Sequence, residues 1–140
     1  METWSWSDKE QVIKKRILLI DDEVDFCYFT KKYLENTKEF DVTFESDALR
    51  SIDLAVQQKP DLILLDIMMP EMDGLAVLSR LKNNDATRSI PVIMLTAKKD
   101  VGSIAEAQSS MATDYIIKPF LPEDLLKLLK KYLGMKRKDK

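Results

Sequence analysis

The sequence predicts an α/β protein: a doubly wound, five-stranded parallel sheet with helices on both faces. Three observations predict it. Apolar runs of strand length alternate with segments of helical periodicity along the chain. The central run, Leu62 to Leu65, is apolar throughout, as a strand covered on both faces is. The runs also end on polar residues, at the carboxyl ends where parallel sheets place their chemistry.

Taken in order, residues 1 to 14 read as a polar tail carrying Trp4 and Trp6 in a Ser-rich setting, an ordered surface stub or a docking segment. Ile17 to Ile20 form the first strand, ending at Asp21 and Asp22. Val24 to Asn36 follow as a helix, with Val24, Phe26, Cys27, Phe29, Tyr33 and Leu34 as its buried stripe. Phe40 to Glu45 alternate as a short strand. Ser46 and Asp47 then start a helix whose face is Leu49, Ile52, Ala55 and Val56.

The stretch Asp61 to Gly74, DLILLDIMMPEMDG, is the centre of the chain. Its strand ends on Asp66, Pro70 and Asp73-Gly74 mark a loop, and a helix begins at Leu75 with Leu78 and Leu81 on its face. Pro91 to Ala97 form a fourth strand ending in Thr96. Lys99 to Ser110 read as a weaker helix with Gly102 and many small residues. Asp114 to Ile117 form the fifth strand, closed by Lys118-Pro119, and Pro122 suits the first position of the last helix. The domain therefore spans residues 15 to 134, with a basic tail from 135 to 140.

Composition narrows the chemistry. A chain of 140 residues, 45% hydrophobic and 33% charged, forms one folded domain with a real core. Its net charge of −2 gives no pull toward nucleic acid or anionic membranes, and no apolar run approaches a membrane span. Cys27 is the sole cysteine, which excludes an internal disulfide and fits a reducing, cytoplasmic home. The chain has no histidine, so Ser-His and Cys-His triads and His-ligated metals are excluded. Carboxylates, hydroxyls and Lys or Arg must carry any reaction.

Five strand-helix units with right-handed crossovers favour the strand order 2-1-3-4-5, which brings Asp21, Asp22 and Asp66 into one crevice. Alone, Asp21-Asp22 reads as the cap of the first helix. Three acids in one crevice repel one another, and a hard divalent cation such as Mg²⁺ relieves this with oxygen ligands, waters and phosphates. Thr96 and Lys118 close the same rim with a hydroxyl and an ammonium, giving a site suited to a phosphoryl group on Asp66.

At these residues the chain resembles the bacterial response-regulator receiver domain, the phospho-acceptor half of two-component signalling. The motifs are Asp21-Asp22, LLDIMMPEMDG around Asp66, MLTA with Thr96 and Ala97, and DYIIKPF with Tyr115 and Lys118; together they cover residues of about 15 to 133. The resemblance implies a flavodoxin-like (βα)5 fold and a phosphorelay switch rather than an enzyme. Asp66 would take a phosphoryl group from a sensor histidine kinase or histidine phosphotransfer protein. Asp22 would ligate Mg²⁺ directly, Asp21 largely through water, and Asp66 and the Met68 carbonyl would complete the set. Thr96, Ala97 and Lys118 would bind the phosphoryl oxygens. Thr96 and Tyr115 would switch, and Lys118-Pro119 would be a cis peptide. The readout face for a downstream target would run from Lys99 to Leu133, and phosphorylation-dependent homodimers through that face are common in the family.

Two departures from the family pattern stand out. Met111 occupies a turn that usually carries Gly, and Leu121, unlike the usual Ser or Thr, has no side-chain cap for the last helix. Rival readings fare worse. Haloacid-dehalogenase-type phosphatases need a second Asp where Met68 stands, and a flavodoxin-like phosphate loop would here be the acidic DDEVD. A receiver-fold docking module that does not use phosphorylation remains an alternative. So does a receiver cut from a larger regulator, since only Gly134 to Lys140 follow the last helix.

In the family, the positions of Met68 and Lys98 tune hydrolysis of the phosphoryl group, and neither residue here has a carboxylate or amide to orient a water. Self-dephosphorylation is expected to be slow, and Met68→Asn to shorten the lifetime of the phosphorylated form; an unchanged half-life in a phosphate-release assay would refute this.

Overall fold

The computed structural model describes residues 13–70, 72–97 and 111–135. Strand β1 (Lys15–Ile20) leads to helix α1 (Val24–Asn36), β2 (Phe40–Glu45) to α2 (Ala48–Gln58), and β3 (Leu62–Asp66) to α3 (Gly74–Lys82). Strands β4 (Val92–Ala97) and β5 (Asp114–Lys118) follow, and α4 (Pro122–Leu133) closes the domain. The helix expected over Lys99 to Ser110, Lys98, the Trp4 and Trp6 tail and the basic residues after Met135 lie outside the described residues.

All five strands run parallel in the order β2-β1-β3-β4-β5, the order expected from the sequence. The register levels their carboxyl ends. Ile20 pairs with Leu65 and Asp66 with Leu95, while Ala97 pairs with Lys118. Asp21 and Asp66 thus each follow directly on a paired apolar residue, at one height and on adjacent strands.

Because strand side chains alternate, the sheet builds two cores. Leu18, Ile20, Ile63, Leu65, Val92 and Met94 pack toward α2 and α3, where Ala48, Ala55, Val77, Leu78 and Leu81 meet them. Ile17, Leu19, Leu62, Leu64, Ile93 and Leu95 face α1 and α4 through Cys27, Leu34, Leu125 and Leu129. The central strand β3 lies between the two cores and is buried along its whole length.

The helix stripes differ from the sequence reading in detail. Val24 and Phe29 of α1 and Leu49 of α2 are exposed, at 53%, 71% and 53%, while Thr30 and Ser51 take inward positions. The α1 stripe is set by Cys27, Thr30 and Leu34, and Phe29 lies about 200° around the helix from Cys27. The Ser51 hydroxyl donates to the Ala48 carbonyl within its own helix, which removes the cost of burying it. Leu126 and Leu133 are half-buried against the α1–α4 core.

Local chemistry sets the helix starts. The Asp47 carboxylate accepts from the Leu49 and Arg50 amides, and Asp73 from the Ala76 amide, so α3 begins at Gly74, one residue before the expected Leu75. Pro122 occupies the first turn of α4, and Leu121 gives no side-chain cap. A Cβ on Gly74 would overlap the Asp66 carbonyl oxygen and lie 2.8 Å from the Ile67 Cα. The close approach of this helix start to the end of β3 therefore requires glycine.

Met111 has a φ of 76°, the left-handed conformation that a glycine usually supplies. Its side chain is 68% exposed, so little packing opposes its removal. Met111→Gly is expected to stabilise the domain by about 0.5–1 kcal/mol, since relief of the left-handed penalty exceeds the added unfolded-state entropy. Urea denaturation with an unchanged or lower midpoint would contradict this.

Candidate functional site

The parallel register delivers three acids to one end of the sheet. Asp21 follows β1, Asp22 follows it, and Asp66 ends β3; one carboxylate oxygen from each lies within 4.8 Å of the others. Asp21 is fully buried and Asp66 is 7% exposed, whereas Asp22 is half-buried at the mouth. The Met68 amide donates to Asp66 Oδ1 at 3.4 Å, and the Glu23 amide donates to Asp21 Oδ1 at 2.9 Å.

Among the described residues, one cation faces this group. Lys118, the last residue of β5, donates from Nζ to Asp21 Oδ2 at 2.8 Å and to Glu23 Oε1 at 2.6 Å. The ammonium also sits 4.3 Å from the centre of the Phe26 ring, which packs edge-on against Phe120 at 5.9 Å. Lys118–Pro119 is a cis peptide.

The electrostatics follow from burial and charge count. Burial pushes the Asp66 carboxyl up to about 7, with the Asp21 charge as the next cause, and Lys118 offsets only part of this. Asp21 is likewise raised by burial, against the Lys118 hydrogen bond and the Glu23 amide. Burial works to lower Lys118, yet hydrogen bonds to Asp21 and Glu23 leave it above its ordinary value. Burial and the Asp21 charge push the Cys27 thiol up to about 12, so this cysteine is an unreactive core residue.

These groups open onto a cleft of about 670 Å³. Of the residues singled out from sequence, Asp22, Asp66, Met68, Ala97, Lys118 and Pro119 line it. Asp21 lies beneath them. Thr96 is buried, and its hydroxyl donates to the Ala97 carbonyl at 3.2 Å rather than into the cleft. Tyr115 is half-buried against the core on the α2–α3 side of the sheet. Three lining residues were not picked out from sequence: Glu23, Phe26 and Phe120. Glu23 was legible as the third acid of DDEVD, and Phe120 as the neighbour of the Lys118-Pro119 pair. Phe26 carried only a core signal.

The donor set suits a hard divalent cation. Its donor atoms are all oxygen, and among the described residues the Lys118 ammonium hydrogen-bonds Asp21 and not Asp66. Asp22, Asp66 and the Met68 backbone border the open side, where a ligand has access.

The comparisons with known proteins agree with this geometry. The DNA-binding dual master transcriptional regulator RpaA of Synechocystis sp. is 40% identical over 111 residues, which is 79% of this chain and 46% of that protein. The transcriptional regulatory protein SrrA of Staphylococcus aureus is 37% identical over 121 residues, 86% of this chain and 48% of its own length. The chain thus spans about half the length of the curated relatives it matches. Among solved structures, the receiver domain of sensor histidine kinase PA1611 from Pseudomonas aeruginosa superposes with a TM-score of 0.79 at 26% identity. The match covers 87% of this chain and 99% of that one, and that crystal structure has a magnesium ion coordinated in its active-site cleft. The family model described as the response regulator receiver domain matches residues 17–130, and the chain belongs to that family.

Proposed function

We propose that the domain is a Mg²⁺-dependent phospho-acceptor switch in which Asp66 takes a phosphoryl group from a histidine kinase or histidine phosphotransfer protein. The observation that carries this reading is the meeting of Asp21, Asp22 and Asp66 at adjacent strand ends, with Lys118 as their cation. On this reading the domain is a switch in a two-component phosphorelay rather than a turnover enzyme.

In the reaction an Asp66 carboxylate oxygen attacks phosphorus, the P–N bond of the donor phosphohistidine breaks, and the imidazole leaves with that bond's electron pair. The product is an acyl phosphate on Asp66. Asp21, Asp22, Asp66 and the Met68 carbonyl would hold Mg²⁺, whose contribution is to neutralise charge on the phosphoryl oxygens. Lys118 would pair with one of those oxygens, Ala97 lies at the mouth to offer its amide, and the Thr96 hydroxyl would exchange the Ala97 carbonyl for the phosphoryl group. Two charge-assisted bonds of about 1.5–3 kcal/mol each come close to the roughly 5.5 kcal/mol that reverses a two-state population. The response would be read by a target protein on the face from Lys99 to Leu133, of which β5 and α4 are described. Phosphorylation-dependent homodimerisation through that face is part of the same reading.

Incubation with acetyl phosphate and Mg²⁺ should add one phosphoryl group by intact-protein mass, and the adduct should require both Mg²⁺ and Asp66, disappearing in Asp66→Ala. No adduct on folded protein would favour a docking module with a silent site.

The raised Asp66 value gives a second expectation. The folded state holds this proton more tightly than the unfolded chain, whose ordinary carboxyl value is 3.8, against about 7 when folded. The stability it contributes is therefore complete below about 4 and lost as pH rises through about 7. Mg²⁺ competes with that proton, so it should raise Tm far more at pH 8 than at pH 5, and Asp66→Asn should flatten the metal-free pH dependence. Equal Mg²⁺ shifts at the two pH values would remove the basis for this.

A further inference from the structure

Glu23 stands at the N-cap of α1, where a carboxylate would normally accept from the helix amides, yet its side chain makes no such bond. It reaches instead across the cleft mouth to Lys118 Nζ at 2.6 Å. The Glu23 amide donates to Asp21 Oδ1 at 2.9 Å, and this turn aims the Glu23 side chain along the same side as Asp21. Lys118 has three donors. Asp21 and Glu23 take two, the Phe26 ring covers the ammonium at 4.3 Å, and among the described residues Lys118 makes no hydrogen bond to Asp66.

The two Lys118 contacts differ in kind. Asp21 is fully buried and has nowhere to go, so its contact is a permanent one. The Glu23 side chain is 63% exposed, so water can replace Lys118 at little cost. The exposed contact is the one that yields when a phosphoryl oxygen arrives.

We propose that Glu23 is a positioning residue that holds the Lys118 ammonium at the cleft mouth in the resting state, so that loading of Asp66 requires Lys118 to exchange Glu23 for the phosphoryl group. This rests on the phospho-acceptor reading and adds to it a latch that opposes phosphorylation. Glu23→Gln keeps the size of the side chain and removes the charge that holds Lys118.

The test compares labelling by acetyl phosphate with Mg²⁺ in the wild type, Glu23→Gln and Asp25→Asn. Asp25 is a neighbouring exposed acid in the first turn of α1, and its loss controls for the general effect of one fewer negative charge on an anionic donor. Glu23→Gln should be labelled about two- to fivefold faster, the range an exposed ion pair supports, with Asp25→Asn close to wild type. In metal-free protein the Lys118 ammonium resonance in proton–nitrogen NMR should shift in Glu23→Gln and stay in place in Asp25→Asn, with Tm unchanged in both. Equal acceleration in the two variants, or none in Glu23→Gln, overturns the latch while leaving the phospho-acceptor reading intact. A wild type that takes no phosphoryl group although Lys118 shows its Glu23 contact overturns that reading, and the latch with it.

Discussion

Mutual repulsion among three carboxylates is the constraint on which this site depends. Parallel strands with level carboxyl ends bring Asp21, Asp22 and Asp66 together, and the same burial that makes the sheet stable strips these acids of water. Among the described residues Lys118 is the ammonium that meets that load, and it hydrogen-bonds Asp21. Asp66 is left with a carboxyl raised toward neutrality by burial and by the Asp21 charge. Such a group gains from a cation that takes the place of its proton.

The fold supplies the rigidity this arrangement needs. Asp66 and Lys118 terminate paired strands, and the β3 residues before Asp66 are buried between the two cores. Gly74 lets the start of α3 press against the Asp66 carbonyl at the end of β3. Phe26, packed edge-on against Phe120, covers the Lys118 ammonium, which lies 4.3 Å from its ring centre. Among the described residues, the cleft thus combines acids at strand ends, an aromatic wall and the long cationic side chain of Lys118.

Residues whose role follows from position at a strand end were legible in the sequence. Asp21, Asp22, Asp66 and Lys118 all close apolar runs, and the strand order that unites them follows from right-handed parallel crossovers. Residues whose role depends on which way a helix turns were not. Phe29 and Leu49 fit an apolar period and yet face outward, while Ser51 and Thr30 face inward, because a short helix over a twisted sheet buries only a narrow arc. Phe26 likewise carried nothing in its spacing to separate a core aromatic from the wall of a cleft.

By itself the sequence determined the α/β class, the alternation of elements, the acidic strand ends and the absence of any histidine chemistry, since these depend on residue type and short-range period. Only the tertiary structure decided which acid the lysine hydrogen-bonds. Lys118 lies 97 residues from Asp21 and 95 from Glu23, and no local pattern relates side chains so far apart. Their distances are set by strand register and by the packing of α1 beside β5.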